Sequence, residues 1–225
     1  MRLAALFSGG KDSTYAIYLM QQSGHAVDHL VTVVPKDPYA WLFHTLNLDL
    51  IPLQAEAMGK RLVTAPSSGE EADDLAALGK VLSGLDVDGV ITGAIASDYQ
   101  WDRINGLCET LGLRCFSPLW RKDQTILLRD MVQAGIEAII VGTFTEGLDA
   151  KWLGRALDEK TIDELLLLKT KYGINVSGEG GEYETLVLSS PMHGRSLRIL
   201  EKRVDEERSS SRLFVTNAEL GPFPI

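Results

Sequence analysis

The stretch Leu3-Ala4-Ala5-Leu6-Phe7-Ser8-Gly9-Gly10-Lys11-Asp12-Ser13 decides how this chain folds, because an apolar strand-like run passes straight into small, charged and hydroxyl residues. A helix-forming pattern over 14–22 follows at once. Adjacent glycines let backbone N–H groups crowd around an anion with no Cβ in the way, and a helix start adds unpaired donors and partial positive charge. Ser8, Ser13 and Lys11 bring hydroxyl and ammonium donors to the same place, so the segment reads as a phosphate-binding loop. A plain strand-to-helix turn explains the glycines but not the Ser, Lys, Asp and Ser around them. It is not a Walker A loop, since Asp12 follows Lys11 where that pattern has Ser or Thr. An acid beside a phosphate is expected to hold Mg²⁺ or to orient the loop, so Asp12 is the metal candidate.

Outward from this loop, helix-like stretches repeatedly end in glycine before a β-rich run, at Gly24, Gly59, Gly84, Gly112, Gly135 and Gly173. Such a glycine supplies the left-handed residue that closes a helix. The runs 3–7, 29–34, 61–64, 89–92, 114–116 and 138–142 have the β-branched and apolar content of strands. Ser68-x-x-Glu71 and Thr161-x-x-Glu164 fit capping boxes, and Pro52 suits a first helical turn. The alternation predicts an α/β fold over residues 1–142, a doubly wound, Rossmann-like parallel sheet that binds ligands at its carboxyl edge. Beyond residue 142 the pattern changes to a helix over 161–172, a Gly-rich segment, and strands over 184–188, 196–204 and 212–220, with a solvated turn over 205–211. Residues 143–225 are therefore expected to form a smaller C-terminal α+β domain.

Charge and cysteine usage narrow the function classes. A formal net charge of −9 and the lack of a Lys/Arg block disfavour a nucleic-acid partner. Cys108 and Cys115 form no metal spacing, no disulfide framework and no C-x-x-C pair, which fits a cytoplasmic protein and argues against sulfur transfer. No run approaches the ~18 apolar residues needed to span a bilayer, so no membrane association is expected. The sequence does not specify an oligomeric state.

Three further segments carry candidate residues. Gly93 and Ser97 lie in a small-residue loop after the strand ending near Thr92, where close approach of a nucleotide is possible, and Ser97 also suits an N-cap. Tyr99 and Arg103 follow, Arg103 either reaching a phosphate or lying in solvent. His44 and Asn47 either line a pocket or are polar residues of a half-buried loop. In Gly178-Glu179-Gly180-Gly181-Glu182-Tyr183-Glu184-Thr185, three carboxylates sit among three glycines, which is more charge than a structural turn needs. This segment fits three roles: binding Mg²⁺, holding an ammonium or trimethylammonium group by charge and the Tyr183 ring, or taking a proton from attacking ammonia. A solvated acidic turn is the plainer alternative.

The Ser-Gly-Gly-Lys-Asp-Ser segment resembles the pyrophosphatase loop of the N-type ATP pyrophosphatases, adenine-nucleotide α-hydrolase-like enzymes. His44-Thr45-Leu46-Asn47, Gly93-Ala94-Ile95-Ala96-Ser97-Asp98-Tyr99-Gln100, Ser117-Pro118-Leu119-Trp120 and above all residues 178–185 narrow the likeness to the diphthine–ammonia ligase family. Ser189-Ser190-Pro191 departs from it, lacking an acid before the proline. The resemblance implies an enzyme that uses ATP and ammonia, adenylates the carboxylate of diphthine on elongation factor 2 and releases AMP and pyrophosphate. It implies nucleotide binding by Ser8, Gly9, Gly10, Lys11, Asp12, Ser13, Gly93 and Ser97, and catalysis by Lys11, Asp12, Glu182 and Glu184. Substrate binding would fall to His44, Asn47, Tyr99, Arg103, Gly178, Glu179, Gly180, Gly181, Tyr183 and Thr185. A tRNA-modifying enzyme of the same chemistry and a non-catalytic nucleotide module are the competing readings.

Overall fold

A computed structural model describes residues 1–36 and 46–222 of the chain. Five parallel strands, β1 (Arg2–Leu6), β2 (Ala26–Pro35), β3 (Arg61–Ser67), β4 (Gly89–Ile91) and β5 (Arg114–Phe116), form a sheet of order β3-β2-β1-β4-β5. Helices α1 (Lys11–Gln22), α2 (Ile51–Ala57), α3 (Glu71–Ser83) and α4 (Asp98–Thr110) connect them, and α5 (Gln124–Gln133) follows β5. This is the doubly wound α/β fold that the strand and helix alternation predicts.

Side chains of β1 alternate between two cores, as a strand buried on both faces requires. Ala4 packs with Leu78 and Leu82 of α3 and Ile104 and Cys108 of α4. Leu3, Ala5 and Phe7 face the opposite core, with Ile17 of α1, Ile51 of α2 and Leu128 of α5. That second core continues into the rest of the chain, through Ile162 and Leu165 of α6 (Glu159–Tyr172) to Ala138 and Val187.

The sixth expected strand corrects the sequence reading. β6 (Glu137–Thr143) does not extend the parallel sheet but pairs antiparallel with β7 (Tyr183–Ser189) and β9 (Ser211–Leu220). With β8 (Leu197–Glu206) they form a second sheet of order β7-β6-β9-β8. Ala138 and Ile140 face the shared core, whereas Ile139 and Val141 face a third cluster with Leu50, Leu197 and Leu213. A hydrophobic run buried on both faces reads alike in either sheet type, so β6 could not be assigned to a sheet from its composition.

Helix ends follow the glycine punctuation, with local exceptions. Gly24, Gly59, Gly112, Gly135 and Gly173 all adopt positive φ, but Gly84 does not, at φ −89°. Neither capping box forms. Glu70 is the N-cap of α3, and Asp158 caps α6 by accepting from the Thr161 backbone at 2.8 Å, three residues before the expected start. No described helix is long and apolar enough to cross a membrane.

Past β7, His193 is buried, its Nδ1 2.6 Å from the Ser190 hydroxyl and its Nε2 without a partner. Burial lowers this imidazole from 6.5 to about 4. The unfolded chain therefore takes up this proton near pH 6.5 and the native chain only near pH 4. Stability is expected to be intact above that window and to fall as pH drops through it, by roughly 3 kcal/mol at most. Urea titrations near pH 7 and about pH 4.5 check this, and His193→Gln should remove most of the difference.

Candidate functional site

The chain reverses its winding between β1 and β4, and the crevice outside their carboxyl ends is where a doubly wound sheet binds ligands. Ser8-Gly9-Gly10 leaves β1 there, and residues 92–97 leave β4 beside it. α1 begins at Lys11, three residues before the sequence pattern predicts, so Lys11, Asp12 and Ser13 form its first turn rather than the loop. Gly10 is its N-cap and no side chain caps it. A helix N-terminus behind a glycine pair is an anion cradle, and Asp12 sits favourably at its positive end.

Glycine identity at this crevice has steric causes. Gly9 has φ +77°, and a Cβ there would overlap the Gln54 side chain. A Cβ on Gly93 would lie 2.8 Å from the Ser13 nitrogen, so Gly93 lets the end of β4 pack directly against α1. Ser8 and Ser13 hydroxyls lie 3.2 Å apart across the loop.

The loop is stitched to the second sheet. Gly9 O accepts from the Val187 backbone at 2.9 Å and from Gln54 Nε2 at 3.0 Å, and the same Nε2 donates to Val187 O at 2.8 Å. Lys11 N donates to Thr185 Oγ1 at 3.1 Å. The Lys11 ammonium is 3% exposed. It donates to Ser177 O at 2.5 Å and to Asp12 Oδ2 at 2.8 Å, and lies 5.2 Å from the Tyr183 ring centroid. Asp12 Oδ1 is buried and has no partner among the described residues. Among the described residues no cluster of three or more His, Cys, Asp or Glu side chains could hold a metal. A divalent ion here would thus rest on Asp12 and on ligands brought by a phosphate.

Two cavities meet at this point. One, of about 120 Å³, opens among the carboxyl ends of β1, β2 and β4, with Phe7, Val31, Val33, Thr92 and Ile104 in its walls. The other, of about 560 Å³, lies between the loop and residues 178–185. Ser8, Asp12, Gln100 and Glu179 line both.

The three acids of residues 178–185 part company. Glu179 Oε1 accepts from the backbone nitrogens of Ile95, Ala96 and Ser97 at 3.0, 2.8 and 3.0 Å, tying the acidic turn to the start of α4. Glu182 accepts from Asn175 N, Asn175 Nδ2 and Gly180 N, each at 2.8 Å. It stands outside β7 and holds a turn. Glu184, inside β7, lines the larger cavity. Gly178 has φ +74° and Gly181 φ +81°, while a Cβ on Gly180 would meet Asn175 Nδ2 at 2.6 Å, so the glycines serve this turn. Tyr183 is buried, and its hydroxyl donates to Val176 O at 2.6 Å. Burial, then the nearby Asp12 and Glu182 carboxylates, push its phenol well above the ordinary value.

The remaining candidates are scattered. Ser97 caps α4, accepting from Gln100 N at 3.3 Å, and also lines the larger cavity. Arg103 is paired with Glu71 and lies 3.5 Å over the Tyr99 ring, while Tyr99 donates to the same carboxylate. Hydrogen bonds from Arg103 and then Tyr99 lower the Glu71 carboxyl below its usual value. Tyr99 reaches the larger cavity, and Arg103 lines neither. Asn47, at φ 58°, gives its amide to β9, donating to Leu213 O at 3.0 Å and accepting from Val215 N at 2.9 Å. It lines neither cavity and clamps the second sheet through these two bonds. His44 lies outside the described residues. Gln54 was not legible as a site residue, although a lone amide among the apolar positions Ile51, Ala55 and Met58 marks a buried polar contact.

Comparison with known proteins places these features in a family. Residues 1–115 match the family described as Diphthamide synthase N-terminal domain, and residues 123–216 the one described as Diphthamide synthase C-terminal domain. A protein of Danio rerio named Diphthine--ammonia ligase is 37% identical over 221 residues, 88% of this chain and 86% of its own length. The Homo sapiens protein of that name is 36% identical, covering 88% of this chain and 82% of its own. One of Schizosaccharomyces pombe is 36% identical over 93% of this chain, which spans only 38% of that longer protein.

Proposed function

The chain belongs to the diphthamide synthase family, and we propose from that premise that it is an ATP-dependent carbon–nitrogen ligase of diphthamide biosynthesis acting in the cytoplasm. It activates the carboxylate of diphthine on elongation factor 2 as an acyl-adenylate, and ammonia then displaces AMP. The observation that carries this reading is the pair of neighbouring cavities with Ser8 and Asp12 in the walls of both. The smaller, partly apolar one suits an adenine base, the loop and α1 N-terminus suit the phosphates, and the larger one suits the acceptor.

Each residue then has a chemical task. The Gly9-Gly10 backbone and α1 N-terminus bind phosphate oxygens, and the buried Lys11 ammonium keeps positive charge beside them. The unpartnered Asp12 Oδ1 fits Mg²⁺, a hard cation often held by one carboxylate plus substrate phosphates. That ion supplies charge neutralisation at the phosphates when bound. Glu184 offers negative charge to a cationic acceptor and takes the proton released when ammonia nitrogen bonds the acyl carbon and the bond to AMP breaks. The acidic chain, at −9, is a poor match for a tRNA substrate.

The test is product analysis. With ATP, ammonium and elongation factor 2 carrying diphthine, AMP and pyrophosphate are expected in equal amounts, and to depend on the acceptor. A mixture dominated by ADP would sink the proposal.

A further inference from the structure

Gln54 of α2 is fully buried at 0% exposure, lines neither cavity, and spends both amide hydrogens on two carbonyls, Gly9 O and Val187 O. Its Oε1 is buried without a partner. A side chain kept for packing alone would be apolar at such a position, because an unpaired buried acceptor costs stability. What this position keeps is therefore the amide's two donors rather than its bulk.

Its effect on the loop follows from peptide geometry. In a planar trans peptide the carbonyl and the next N–H point in opposite directions. Gly9 O is fixed toward the second sheet by two donors, Gln54 Nε2 and Val187 N. The Gly10 N–H of the same peptide is thereby turned the other way, toward the cavity side, where its contact is a long 3.5 Å approach to Ser8 Oγ. Gln54 also fills the space beside Gly9 that a Cβ would occupy. Gln54 thus helps Val187 N to set the peptide orientation and by itself restricts the residue type at the centre of the loop.

We infer that Gln54 is a positioning residue for the nucleotide, aiming the Gly10 N–H at a phosphate oxygen without touching it. The inference rests on the nucleotide reading of the loop. In Gln54→Met the length and burial are kept and the two donated hydrogen bonds are lost. Titration calorimetry with α,β-methylene-ATP is expected to show about tenfold weaker binding, about 1.4 kcal/mol, with the thermal midpoint lowered by only a few degrees and the acceptor KM unaltered. Gln54→Glu, of the same shape, is expected to weaken binding too, because a carboxyl buried against two carbonyls stays protonated and has one O–H to give where the amide has two N–H groups.

Unchanged nucleotide affinity in either folded variant overturns the inference. So does a loss of affinity that only tracks a collapse of the thermal midpoint in both, which marks a purely structural residue. Failure of the wild-type protein to bind the analogue would instead overturn the nucleotide reading itself.

Discussion

Asp12→Asn is expected to slow acceptor-dependent pyrophosphate release about a hundredfold, about 3 kcal/mol of barrier, while the protein stays folded. The substitution preserves shape and removes charge at a carboxylate that lines both cavities and whose buried Oδ1 has no partner among the described residues. It also takes the counter-charge from the Lys11 ammonium, which keeps Ser177 O. Pyrophosphate release and thermal midpoint, measured together, check the prediction. Turnover near the wild-type rate would place the phosphate chemistry elsewhere. Lys11→Ala is a less clean probe, since it also empties a buried position that ties α1 to the segment before β7.

The second large effect separates two acids that the sequence pairs. Glu184→Gln is expected to lower acceptor-dependent turnover by roughly a hundredfold, the low end of general acid–base contributions, while nucleotide affinity stays within about twofold. Glu182→Gln is expected to behave differently. Its carboxylate accepts three N–H groups, and an amide nitrogen facing one of those donors should cost about 1–3 kcal/mol of stability. Nucleotide calorimetry, acceptor-dependent pyrophosphate release and urea unfolding on both single variants distinguish the roles. Retained turnover in Glu184→Gln would reduce that residue to cavity wall, and lost nucleotide binding would move it into the Mg²⁺–nucleotide site.

Much of the parallel sheet was legible, because its strands are short apolar runs divided by closing glycines, and that grammar reports local structure directly. The glycine turn after β1 was legible for the same reason, as its residues are consecutive. Partner choice was not. β6 satisfies the strand pattern in either sheet, and only tertiary pairing assigns it to the second. Glu179, Glu182 and Glu184 look equivalent in a row of glycines and acids, yet backbone donors at 95–97 and 175–180 claim the first two. Gln54 stands 45 residues from Gly9, beyond the reach of any local pattern.

The bond from the Val187 nitrogen to Gly9 O gives the chain a schedule as well as a shape. During synthesis on the ribosome, all five strands of the parallel sheet have been made once residue 116 is added. The loop after β1 then still lacks the donor that fixes Gly9 and the Thr185 hydroxyl that meets Lys11. Both arrive on β7, about 70 residues later, at the roughly 5–20 residues per second of translation. A nascent chain therefore spends several seconds with the strands of its sheet made and the loop after β1 unfinished, so the ATP use proposed for that loop is among the last properties it acquires.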